Sequence, residues 1–336
     1  MNWAYCLDKK MHKMKKYFAA KLFLFTIFFI LLSNITNAGY TTYLQSDLLV
    51  FRLDEQFDQV KQNISILILG DSHAKSSVYP QYLNGSFIAA TAGETYIQTY
   101  YRLLYYLEKE KVEVQLVLLP LDLHNFASNR SVKIRFPEYW NKYINYWELG
   151  KNRRNLWFYI LQWGKGQFAF LSGIDTLFNV VILHKGDTTR TVMMNGYTPQ
   201  KGLFYQDKDI KGSAQDRVQR HFSNLNRIDN DTVAYFVKIL ELLHSHDVEV
   251  VFIRYPVTDI YYREADKMIM IDQYYSEISQ IIKRTGYSFT ILDYHDVYWD
   301  KPQYFYDQDH LNANGSIEFT KLLIKDLYLL DYLPLE

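Results

Sequence analysis

Two short segments of the chain carry residue types able to do acyl chemistry. The first is Gly70-Asp71-Ser72-His73, which follows an apolar run. The second is Tyr306-Asp307-Gln308-Asp309-His310-Leu311-Asn312-Ala313-Asn314-Gly315, which precedes the last helical stretch. A serine hydroxyl is a weak nucleophile until a base takes its proton. A histidine can act as that base, and a carboxylate can orient its ring and stabilise the imidazolium that forms. Asp307, three residues before His310 on one loop, has the spacing for that role. This division of labour recurs on unrelated folds, so geometry rather than chain order decides whether the groups cooperate. Each segment alone also has a plainer reading, in which Asp71, Ser72, Asp307 and Asp309 cap helices or turns. Only their combination points to a nucleophile, Ser72, with Asp307 and His310 behind it.

Such residues need a scaffold that brings positions more than two hundred apart in the chain to one place. The apolar run Ile64 to Leu69 is short and rich in β-branched residues, which predicts a buried strand ending at Gly70. Further strands are predicted at Ser86–Thr91, Val112–Pro120, Val248–Tyr255 and Ser288–Leu292. Apolar residues at helical spacing predict helices over Tyr96–Lys111, Val233–His244, residues 268–284 and Ala313–Leu330. Apolar strands alternating with helices make a mostly parallel sheet covered on both faces. Such sheets place ligand sites at the carboxyl ends of their strands, where both chemical segments fall.

Residues 121–232 are too long for a simple crossover and are expected to form an inserted helical subdomain. They hold Trp140, Trp147, Trp157 and Trp163, together with Lys151, Arg153 and Arg154. Two minor candidates compete for chemistry. Asp293 and His295 follow the fifth predicted strand but lack the Leu-Asn-x-x-Gly context. His244-x-His246 has a metal-like spacing but no clear third ligand. No metal or cofactor is expected.

With both segments quoted, the chain resembles the SGNH/GDSL hydrolase superfamily over roughly residues 64–330, apart from the insertion. The resemblance implies a flavodoxin-like three-layer α/β/α sandwich with a five-stranded, mostly parallel sheet. It implies a catalytic triad of Ser72, Asp307 and His310. It also implies an oxyanion hole from the backbone N–H groups of Ser72 and Gly93, the latter in Thr91-Ala92-Gly93-Glu94. The pattern departs at the third strand. Where the superfamily usually has Gly-x-Asn-Asp, this chain reads Leu119-Pro120-Leu121-Asp122-Leu123-His124-Asn125. Asn125 is the candidate third oxyanion donor from a shifted position, while Asp122 and His124 could line the pocket. Degenerate third blocks of this kind resemble exported branches that acylate or deacylate polysaccharides, such as alginate acetyltransferase-like and teichoic-acid-related proteins.

The amino-terminal stretch fits export. Lys9, Lys10, Lys13, Lys15, Lys16 and Lys21 precede the apolar run Leu22–Leu32, followed by small and polar residues to Gly39. A basic region, a short apolar region and a small-residue exit describe a signal peptide over residues 1–38, cleaved after Ala38. The competing reading keeps residues 17–35 as an uncleaved membrane anchor, with Lys21 reaching to the interface. Either leaves residues 39–336 as an SGNH-like domain outside the cytoplasm, in the periplasm, on the cell surface or secreted. The only cysteine, Cys6, lies before the apolar run, so an exported part has no thiol for disulfides, catalysis or zinc-thiolate binding. The chain balances 37 basic against 37 acidic residues, which argues against nucleic-acid binding. The sequence therefore predicts an exported serine esterase or O-acyltransferase acting on an acylated glycan or other ester. The alternative is a catalytically silent glycan-binding or assembly protein on the same fold.

Overall fold

The computed structural model describes residues 3–43, 49–127, 134, 136–151, 156–168, 193–222 and 228–333. They fall into two compact units. One comprises residues 1–48, 136–141 and 146–187, and the other 49–135, 142–145 and 188–336. The stretch read from sequence as an insertion, 121–232, is thus divided between both.

The larger unit is built on five short strands: β1 (Ile66–Gly70), β2 (Ser86–Ala90), β3 (Leu116–Pro120), β4 (Glu249–Arg254) and β5 (Thr290–Asp293). All pair in parallel, in the order β2-β1-β3-β4-β5. Their helices, in chain order, are α2 (Leu49–Val60), α3 (Ser72–Ser77), α4 (Tyr96–Leu104), α8 (Ile210–Phe222), α9 (Asn230–Ser245), α10 (Asp259–Ile269), α11 (Ile271–Arg284) and α12 (Ala313–Leu329). The smaller unit contains α1 (Trp3–Tyr43), α5 (Pro137–Trp140), α6 (Tyr146–Lys151) and α7 (Leu156–Gln167). The fold is α/β, with a five-stranded parallel sheet carrying helices on both sides.

Strand periodicity explains why both faces are apolar. Ile66, Ile68, Ile88, Leu118, Val251 and Ile253 share one core with Phe319, Leu323 and Leu327, which recur every four residues along α12. The intervening Leu67, Leu69, Phe87, Val117, Leu119 and Phe252 are also buried, with Phe252 5.6 Å from Phe236 of α9 and Phe87 5.6 Å from Phe57 of α2. The strand order reverses direction between β1 and β3, which is where open α/β sheets form their ligand crevice. The β1–β3 ladder ends at Ile68↔Leu118, and β3 closes with Pro120, which has no N–H to extend it.

Three local differences from the sequence reading have physical causes. The third strand begins at Leu116, because Val112 to Gln115 turn in from α4 before reaching the sheet. The single helix expected over residues 268–284 is two. Met270 takes a left-handed φ of 50° and breaks α10 from α11, and the turns of α10 are amphipathic enough to bury Tyr261, Ala265 and Ile269. At the amino terminus the apolar run does not stop at Leu32 but lies inside one continuous 41-residue helix. That helix is long and apolar enough over Met11–Gly39 to cross a membrane by length and composition.

Candidate active site

The site grows from the carboxyl ends of β1, β2 and β3 and from the loop before α12. Gly70 closes β1 with a φ of 130°, and a Cβ there would lie 2.6 Å from the Pro120 ring. Only glycine lets β1 and β3 approach this closely and the chain turn at once into α3. Asp71 caps α3 by accepting the His73 N–H (3.1 Å), which leaves Ser72 as the first helical residue with its side chain half-buried.

On the opposite side, Asp307 Oδ1 accepts the backbone N–H groups of Asp309 (3.2 Å) and His310 (3.0 Å), folding the loop back on itself. The Tyr306 N–H donates to the His310 carbonyl at 2.8 Å. Asn312 caps α12 at Asn314 and Gly315 and donates its amide to the Gln303 carbonyl at 2.7 Å. These bonds point the His310 ring at the end of β1. Its Nε2 lies 2.8 Å from Ser72 Oγ, and its Nδ1 lies 2.8 Å from Asp307 Oδ1. The three residues singled out in the sequence stand in one hydrogen-bonded line.

A second carboxylate sits beside that line. Asp309 is buried, with Oδ1 3.2 Å from His310 Nδ1 and 3.1 Å from Arg217 Nε, at ion-pair range but off hydrogen-bond alignment. Arg217, from α8, also pairs with Asp307. Burial disfavours a charged His310 ring, but Asp309 and Asp307 outweigh it and push its pKa up to about 9. Asp309 itself is held well below the usual carboxylate range: burial opposes its charge, but His310, His73 and Arg217 prevail.

Behind the line lies a buried polar cluster. His73 places Nδ1 3.0 Å from Asp122 and Nε2 3.2 Å from Asp309. Burial works against its charge, yet the two carboxylates hold its pKa well above the ordinary imidazole value. A ring with acceptors at both nitrogens is an imidazolium. His124 Nε2 reaches Asp71 at 2.6 Å, and its ring stacks on His221 at 4.7 Å. His221 in turn meets the Tyr261 hydroxyl at 2.7 Å. Donor atoms of His73, Asp122 and His124, and of His73, Asp309 and His310, each lie within 4.8 Å of one another. Those are the groups that could gather a cation; here His73 bonds to Asp122 and Asp309, His124 to Asp71, and His310 to Asp307 and Ser72.

The two remaining sequence candidates lie on either side. Gly93 ends the turn after β2 with a φ of 74°. That turn is fixed by the fully buried Glu94, which accepts from the Thr91 N–H (2.9 Å), the Thr99 hydroxyl (3.0 Å) and the Arg102 guanidinium (2.9 Å). Asn125 is buried with both ends of its amide engaged: Nδ2 donates to Asp71 at 3.3 Å, and Oδ1 accepts the Asp122 N–H at 3.0 Å. Asp293 and His295 pair with each other at 2.7 Å on the outer strand, with Arg254 on the same carboxylate.

The DltD protein family matches residues 196–325, a span that includes β4, β5 and the whole Asp307–His310 loop. That match joins a parallel five-stranded sheet, the serine after its first strand and the Asp-x-x-His loop before its last helix. Over that span the chain is similar to the DltD family, in keeping with the SGNH/GDSL resemblance of its two motifs. No curated protein matches its sequence. Similar solved structures include a Streptococcus pneumonia protein described as a platelet activating factor (14% identity, TM-score 0.38, 87% of this chain and 99% of that one). They also include a GDSL-like lipase from Bacteroides thetaiotaomicron (12%, 0.38, 82% and 95%). A Bacteroides fragilis protein described as an acylhydrolase is a third (12%, 0.37, 81% and 93%).

The sequence placed Asp122 and His124 in the lining of the pocket but gave His73 and Asp309 no role beside His310, and it missed Arg217 and His221. The signal for Asp309 was there, as a second acid in Asp-x-Asp-His. Arg217 and His221 lie four apart on α8, one face of one helix, but nothing near them in sequence marks their partners.

Proposed function

We propose that the chain is an exported serine esterase or O-acyltransferase that works through an acyl-Ser72 intermediate on an acylated surface or secreted glycan. The observation that supports this reading is the line Ser72 Oγ–His310–Asp307, with 2.8 Å at each step. Neutral His310 takes the Ser72 proton as Oγ attacks the ester carbonyl. The tetrahedral oxyanion is met by the N–H groups of Ser72 and Gly93. Asn125 adds a third donor through the Nδ2 hydrogen that Asp71 does not take. The intermediate collapses as His310 returns the proton to the departing alkoxide. In the second half, a water or a sugar hydroxyl gives its proton to His310, attacks the acyl carbon and releases Ser72. Water makes the enzyme an esterase, and a sugar hydroxyl makes it a transferase. Asp307 and Asp309 stabilise the imidazolium in both halves.

Export rests on α1, whose apolar segment is exposed along its length, and the glycan on the aromatic richness of the chain and its resemblance to polysaccharide-modifying branches. A silent binding protein on the same fold is the competing reading, and the departure of Leu119–Asn125 from the Gly-x-Asn-Asp pattern favours it. The test is labelling of the full chain with a fluorophosphonate above pH 9, where the neutral His310 form prevails, beside Ser72→Ala and His310→Ala. Labelling abolished in both variants is expected. No labelling of folded wild-type protein rejects the enzyme in favour of the binder. Turnover of p-nitrophenyl acetate with and without added oligosaccharide then separates hydrolysis from transfer.

A further inference from the structure

The outward face of α7 is inverted for a helix on a water-facing surface. Trp157 and Leu161 lie about 40° apart at 3.6 residues per turn, and Phe168 follows just past the end of the helix. Trp157 is 75% exposed and Leu161 63%, and Trp163 and Phe168 are also exposed. The opposite face buries Tyr159 and Gln162. A helix at a protein–water boundary turns its apolar stripe inward and its amides outward, whereas α7 exposes Trp157 and Leu161 and buries Gln162. Trp147, on the neighbouring helix α6, is 51% exposed and extends the apolar surface. Exposed apolar surface of this extent marks a place that something other than water covers.

The same unit states what covers it. Its other long element, α1, carries the exposed apolar segment Phe18–Ile35, which is about 27 Å long at 1.5 Å per residue and close to a bilayer's hydrocarbon thickness. Just past the end of that segment, Asn37 Nδ2 donates to the backbone carbonyl of Gln167, the last residue of α7, at 3.5 Å. The end of α7 is therefore held at the depth where α1 leaves the hydrocarbon. Tryptophans concentrate at that depth, and the exposed Lys165 suits anionic headgroups.

We infer that α6 and α7 form a membrane-interface platform, with Trp157, Leu161 and Phe168 seated in the headgroup region of the bilayer that α1 spans. The inference uses the membrane location of α1 and is independent of the chemistry proposed for Ser72. The full chain, with Cys6→Ser, receives single cysteines at Trp157, Leu161 or Phe168. Phe25→Cys on α1 and the exposed Gln280→Cys on α11 serve as references. Each is labelled with an environment-sensitive fluorophore and reconstituted into phosphatidylcholine–phosphatidylglycerol vesicles, with or without a lipid carrying a nitroxide near the top of its acyl chain. The labels at 157, 161 and 168 are expected to shift to the blue on reconstitution and to lose emission to the nitroxide, while the Gln280 label does neither. Water-like, unquenched emission from the labels at 157, 161 and 168 overturns the platform. So does a blue shift without nitroxide quenching, which would put protein rather than lipid against α7. The Phe25 label reports separately on whether α1 is in the bilayer, so failure of the anchor and failure of the platform are distinguishable.

Discussion

The neutral form of His310 is the one that can deprotonate Ser72, and its population is set by Asp309. With a pKa of about 9 rather than the ordinary 6.5, only about 1% of His310 is neutral at pH 7, against roughly three-quarters for an unperturbed ring. Each pKa unit corresponds to about 1.4 kcal/mol, so the environment favours the imidazolium by about 3 kcal/mol. Asp309, 3.2 Å from Nδ1 and fully buried, is the largest contributor acting in that direction. Asp309→Asn keeps the shape and removes the charge, while Asp307 stays hydrogen-bonded to the ring. We expect the acid limb of the pH profile of kcat/KM to move down by about 1–2 units from a wild-type midpoint near 9. The maximal rate should fall modestly, because a less basic imidazole is a weaker base. The assay is p-nitrophenyl acetate hydrolysis against pH. A stability prediction runs in parallel. Folded His310 holds its proton more tightly than unfolded His310. It therefore contributes stability in full below about pH 6.5, and that contribution fades as pH rises through about 9. In the variant this alkaline decline should be smaller and end at lower pH. An acid limb that stays in place in folded Asp309→Asn, or moves up, would refute the electrostatic account.

Arg217→Gln removes the guanidinium that faces both Asp307 and Asp309, so the same acid limb should move the opposite way, to higher pH; an unshifted limb would leave Arg217 a purely structural contact. Arg102→Met strands Glu94 as a buried, unpaired carboxylate and should cost about 3–5 kcal/mol in denaturant unfolding. Because Glu94 also holds the Thr91–Gly93 turn, residual folded protein should show reduced kcat with little change in KM. Gly70→Ala drives a methyl against the Pro120 ring at a φ of 130°; it should lower Tm and fluorophosphonate labelling together, whereas a fall in Tm alone would show that the turn tolerates the shift.

The parts legible in the sequence were those fixed by local pattern. The first four strand runs read as strands because both faces of a parallel sheet are buried, so their inner residues form nearly unbroken apolar strings. The Asp307–His310 spacing read as one loop because the Asp307 side chain closes its own turn. What escaped was set by partners distant in the chain. Nothing around Arg217 announces that it meets residues 307 and 309. Asp122 could be suspected of lining the pocket, but not of receiving His73 on one oxygen and the Tyr255 N–H on the other. The break at Met270 depended on a left-handed residue that is neither glycine nor asparagine, which sequence rarely flags.

His73 bonds to a carboxylate 236 positions further along the chain, and His310 and Ser72 are separated by 238. For a chain that threads through a translocation pore from its amino terminus, the last loop to emerge brings both the base and one clamp of a buried cation. Until then His73 has Asp122 alone, and α3 cannot settle into its final place. Loss of the carboxyl-terminal fifty residues would therefore leave a half-paired ion in the core rather than an intact but inactive fold, and such chains should be removed by quality-control proteases instead of accumulating.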